Sequence, residues 1–169
     1  MSYEIHAFIG LQERFCAVEG APMNTVSLAQ GMALVPLTSA LCGWLYQQHN
    51  GARRTHPGFE LLSEPAYQLG VRLSERGGVA YVEAFFFGNT GGQDAIVWQH
   101  GAVVMEPLHS FNGQAALPES RPRRASRDAA PCHPINEALR RLGVEKSGQS
   151  DEFDALGLGR HRKTESWIE

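Results

Sequence analysis

Cysteine is scarce in this chain. Cys16, Cys42 and Cys132 are odd in number and irregularly spaced, which suits a reducing compartment, the cytoplasm, better than a disulfide framework. Long apolar runs are also missing: no segment approaches the roughly 20 residues that a membrane-spanning helix needs. The opening MSYEIHAFIG carries Glu4 early and has no basic start, so neither a signal peptide nor an anchor is expected, and no membrane contact. Charge of one sign is lacking too. Fifteen Lys and Arg against 18 Asp and Glu leave a net charge of −3, too little field of either sign to draw the molecule to nucleic acid, and none is expected as a partner.

The spacings that hold metals or cofactors are absent as well. His6, His49, His56, His100, His109, His133 and His161 form no i, i+4 pair and have no carboxylate at metalloprotease spacing. Cys132 and His133 are adjacent, with no second Cys or His nearby to complete a zinc set. Gly88-Asn89-Thr90-Gly91-Gly92 lacks the Lys-Ser/Thr ending of a phosphate loop and leads into a strand, so it reads as a hairpin connection. No metal and no cofactor is expected.

What is present is the composition of a folded protein. The chain has 169 residues, 43% hydrophobic and 20% charged, enough apolar surface to offset chain entropy and a length suited to one domain over 1–169. Residues 3–9 alternate as a half-buried strand, and 25–30 and 32–37 read as short strands around Gly31. Thr38 or Ser39 caps a helix over 40–48, and 59–74 carries a helical stripe that Pro65 should kink or break. The clearest signal spans 79–87, 94–99 and 102–106, β-branched and aromatic runs separated by GNTGG and His100-Gly101, a three-stranded antiparallel meander. Helical spacing returns at 135–142, with Pro134 at its start and Gly143 past its end. An α+β fold follows: an antiparallel or mixed sheet of about five strands, with helices packed mainly on one face. Residues 110–134, rich in arginine and proline, read as a long flexible surface loop.

Three regions are candidates for partner contact. They are the acidic Asp151, Glu152 and Asp154, which would otherwise cap a short helix; Asn89 and Thr90 on the hairpin loop; and Arg121, Arg123 and Arg124 in the arginine-rich segment. Glu83 lies in the apolar strand AYVEAFFF on the face of Tyr81, Phe85 and Phe87. It either points into water or is buried against a donor with a perturbed pKa. Cys132, in a Pro-rich loop, reads as a free thiol rather than a preorganised nucleophile.

The stretches AYVEAFFFGNTGGQDAIVW, INEALRRLGV and DEFDALGLGR resemble small bacterial immunity-type proteins associated with polymorphic toxin systems. The resemblance implies a non-catalytic binding protein that neutralises a cognate toxin or effector domain by occluding its active site. Two alternatives stay open: a small hydrolase or transferase using Glu83 as general base with a histidine such as His6 or His100 beside it, and a structural or oligomer-forming domain, possible as a homodimer through an apolar two-fold interface.

Overall fold

The structure is a computed structural model that describes residues 1–50, 54–119, 123–125 and 130–169. Its centre is a seven-stranded, wholly antiparallel sheet of order β2-β3-β1-β4-β5-β6-β7. The strands are β1 (Ser2–Leu11), β2 (Val26–Ser27), β3 (Met32–Pro36), β4 (Val79–Phe87), β5 (Thr90–Gln99), β6 (Ala102–Phe111) and β7 (Gln114–Ala115). The expected meander is β4-β5-β6. Its turns carry the backbone such hairpins require: Gly88 takes φ +59 between β4 and β5, and His100 and Gly101 take +51 and +78 between β5 and β6. Asn112-Gly113, with φ +49 and +78, makes a third tight turn into β7.

The sheet is covered on both faces, which corrects the expectation of helices mainly on one. Helices α1 (Ser39–Gln48) and α2 (Glu64–Leu73) bury Leu41, Leu45, Leu69 and Leu73 against Phe8, Val35, Tyr81, Ile96 and Trp98. On the opposite face α3 (Pro134–Arg141) and α4 (Glu152–Leu156) bury Ile135, Ala138, Leu139 and Leu156 against Ile5, Ala7, Ile9, Val82 and Val97. Strand β1 is therefore buried on both sides rather than half-exposed. Gly70 lets α2 lie directly on Trp98, since a Cβ there would come within 2.5 Å of the indole.

Other corrections are local. The stripe expected over 59–74 is helix only from Glu64, so Pro65 marks a break rather than a kink; Ser63 caps α2 by accepting the Ala66 N–H, and Pro65 sits in the first turn, where its missing donor costs nothing. The segment 110–134 is not one loop: Ser110 and Phe111 end β6, 114–115 form β7, and Pro134 begins α3. Residues 120–122 and 126–129 of that expected loop, Arg121 among them, lie outside the described residues. Among the described residues no helix is long and apolar enough to cross a membrane.

Candidate functional site: a polar row under an aromatic-rimmed pocket

On the face that carries α1 and α2, sheet register aligns four polar residues on four neighbouring strands. His6 pairs with Glu83, Glu83 with Asp94, and Asp94 with His109. All four are buried. An unpartnered carboxylate at such a position would be expensive, and each is heavily engaged.

Glu83 accepts three hydrogen bonds. Its Oε1 takes the Leu61 N–H and the Tyr81 O–H, both at 2.8 Å, and its Oε2 takes the Glu60 N–H at 2.7 Å. The two backbone donors belong to a loop closed at its base by a Thr55–Ser63 bridge and by His56 N–H donating to Leu62. The tip of this loop drops Phe59 between the rings of Tyr81 and His109, with centroids 6.0 and 5.1 Å away. Gly58, at φ +84, lies flat on the His109 ring where a Cβ would collide. Burial pushes the Glu83 carboxyl above its usual range, only partly opposed by His6 and the two backbone donors. Burial and the adjacent Glu83 charge push the Tyr81 hydroxyl well above 10, so it remains a donor.

Asp94 binds on both sides: Oδ1 meets His109 Nδ1 at 2.8 Å and Oδ2 meets Arg123 Nη2 at 2.8 Å. Arg123 also donates to the carbonyls of Ser110 and Gly58, each at 3.1 Å, tying the sheet to the loop above it. Its path across β5 depends on Gly92, where a Cβ would lie 2.6 Å from Nη1 and 2.5 Å from the Ser110 carbonyl.

His6 sits at the end of the row. Its Nε2 lies 3.8 Å from Glu60 Oε2, while Nδ1 lies 3.7 Å from Glu4 and 3.4 Å from Thr164 Oγ1. Burial pulls its pKa down, but the neighbouring Glu60 and the charges of Glu83, Glu60 and Glu4 outweigh burial and leave it raised.

Beside this row opens a cavity of about 340 Å³. The buried His6, Glu83 and Asp94 line it together with Arg123, and the exposed Glu60 stands at its edge with Phe85, Phe87, Phe111, Thr90, Gly91 and Gly92. Phe85 is 47% and Phe87 66% exposed. Thr90 is the sole hydroxyl among the described lining residues, and no cysteine lines the cavity. Among the described residues no cluster of His, Cys, Asp and Glu suited to a metal ion occurs.

The sequence candidates separate on this scaffold. Glu83, Thr90 and Arg123 come together at the cavity. Asn89 is on the hairpin turn just beyond it. Asp151 caps α4, accepting the Asp154 N–H at 2.9 Å and the Asn136 amide at 3.1 Å. Glu152 is buried, 3.4 Å from Arg140, which leaves Asp154 as the exposed member of the acidic trio. Arg124 is exposed. His100 lies on the β5–β6 turn, outside the cavity lining. Asp94, His109 and the loop over Glu83 were not singled out from sequence. Asp94 has a local signal, since the two-residue turn at Gly88-Asn89 sets it opposite Glu83.

The chain matches no protein-family model, no curated protein and no solved structure. What it does has to be read from its own side chains.

Proposed function

We propose that the protein works by binding, with the phenylalanine-rimmed pocket as its recognition element and another protein as its partner. In the form the resemblance implies, that partner is a bacterial toxin or effector domain whose active cleft is occluded. One observation carries the reading: Glu83 and Asp94 are already held by donors of the protein itself, while Phe85 and Phe87 stand exposed on the same face of β4 at the cavity mouth. Adjacent exposed aromatics over a preorganised pocket are the composition of an interface core. The rival, Glu83 as general base, has less support from the same geometry, because three of the carboxylate's four acceptor positions already take hydrogen bonds from the loop and from Tyr81.

The test is capture followed by reconstitution. The expected outcome is a 1:1 complex with a purified partner that loses its own activity on binding. Phe87→Ser should weaken that complex by about tenfold or more, as a truncated aromatic hot spot does. A complex indifferent to both Phe85→Ser and Phe87→Ser overturns the reading, and so does self-association as the one complex formed.

A further inference from the structure

We infer that the protein has a second binding site, which takes a small neutral molecule with an apolar body and one O–H or N–H donor, a phenol being the simplest example. The site is a cavity of about 380 Å³ where β6 meets β7 and the loop of His56 and Pro57, and it shares no lining residue with the phenylalanine-rimmed one. That volume suits a small ligand. Its most buried lining residue is His109, 8% exposed. Asp94 Oδ1 meets His109 Nδ1 at 2.8 Å, and Arg123 holds the other carboxylate oxygen at 2.8 Å, so Asp94 is the acceptor and the proton of the neutral ring lies on Nδ1. The opposite nitrogen, Nε2, carries a lone pair and has no hydrogen-bond partner among the described residues. The buried side-chain atoms without a partner among those residues are the indole nitrogens of Trp98 and Trp167, so Nε2 opens to the cavity rather than being sealed.

The rest of the lining favours no ion. Among the described residues it holds no Asp, Glu, Lys or Arg. Pro57, Pro107 and Pro118 have no N–H, and the N–H groups of His56, Ala115, Ala116 and Cys132 donate to carbonyls of the fold at 2.8 to 2.9 Å. The Cys132 thiol lies 3.8 Å from the His109 carbonyl, and His56 turns Nε2 to Glu64 at 2.8 Å. Each neutral ring thus directs its proton to a carboxylate outside the cavity. A cation would find no carboxylate here, and an anion no cation and few donors. A neutral donor finds the Nε2 lone pair, with Leu108, the two alanines and the proline rings around its apolar body. A buried acceptor left without a donor costs free energy, which such a ligand recovers.

The experiment uses the full chain, carrying nitrogen-15 histidine, at about pH 8.5, where ordinary imidazole and phenol groups are both neutral. The ring resonances of His109, identified by their loss in His109→Gln, are followed while three probes are titrated in: phenol, its methyl ether anisole, which keeps the ring and lacks the donor, and benzoate. Phenol should shift the Nε2 resonance saturably, with Kd on the order of millimolar, and anisole should bind about tenfold more weakly. Ala116→Leu fills the cavity without touching the Asp94–His109 pair and should remove the phenol response, with an unmoved Nδ1 resonance showing that the pair is intact. The comparison of phenol with anisole needs no variant and stands if that one fails to fold. Equal binding of anisole, saturation by benzoate, or a phenol titration that leaves Nε2 unmoved would each overturn the inference. The partner-binding reading is tested apart from it, since Phe85 and Phe87 line the other cavity.

Discussion

Two of the three donors on Glu83 are backbone N–H groups of the loop lying over it, so this one carboxylate holds down the covering of the pocket floor. Glu83→Ala would leave those two amides and the Tyr81 hydroxyl without an acceptor in a buried place, and a loss of about 3–5 kcal/mol is expected by urea unfolding. Glu83→Gln keeps one oxygen to accept and should lose less. A loss under about 0.5 kcal/mol for the alanine variant would mean that the loop is held by other contacts. Glu83 was conspicuous in the sequence as a charge inside an apolar strand. Its donors were not, because Glu60 and Leu61 contribute through their backbone, which no side-chain pattern reveals.

The α4 helix shows the same economy at the scale of an element. It has five residues, too few to hold itself, and its start rests on Asp151 accepting the Asp154 N–H while a second oxygen receives the Asn136 amide from α3. Asp151→Ala is expected to cost about 1 kcal/mol of stability and Asp151→Asn much less, measured in parallel urea titrations. Equal losses in both variants would point to charge rather than capping.

Capping was legible along the chain: Thr38, one of two candidates with Ser39, caps α1, and the Pro134-to-Gly143 punctuation of α3 reads correctly, as does the His100-Gly101 turn, whereas of the GNTGG connection only Gly88-Asn89 is turn and Thr90, Gly91 and Gly92 already pair in β5. Asn112-Gly113 carries an equally strong hairpin signal, but the arginine- and proline-rich composition that follows drew β7 into an expected loop. Register was harder still. Counting back from the Gln99–Ala102 pair would set Asp94 opposite Pro107, and two irregularities in the β5–β6 ladder move it to His109. The pairing of His6 with Glu83 joins distant strands that no turn aligns.

At the scale of the whole molecule, the buried ionisable groups set how stability depends on pH. His6 is raised above its usual 6.5, with Glu4, Glu60 and Glu83 facing it and Lys163 reaching Glu4, and Glu83 is raised above 4.5. A raised folded value means stability that is complete below the unfolded pKa and lost as pH rises through the folded one. Both groups therefore weaken the fold as pH rises, Glu83 from above 4.5 and His6 from above 6.5. Burial lifts the Cys42 thiol to about 11, which extends the same trend upward. In the opposite direction, Glu64 is lowered by its Gln68 hydrogen bond and Glu137 by Arg140, so their contributions disappear as pH falls below 4.5. Glu64 is exposed and Glu137 half-buried at the surface, and screening keeps these terms small. The melting temperature should be higher at about pH 6 than at about pH 8, with a smaller difference in His6→Gln. A melting temperature that rises over that interval would refute the assignment.

The two-sided covering of the sheet also distributes its tryptophans. Trp98 is buried under α2, with Tyr67 and Gly70 against it, whereas Trp167 is buried in the opposite layer beside His161. Neither indole N–H has a hydrogen-bond partner among the described residues. Each layer thus contains its own fluorophore in a dry setting. In variants retaining one of the two and lacking the half-buried Trp44, emission colour becomes a layer-specific gauge of wetting, able to tell whether the pocket-bearing layer loosens before the one behind it.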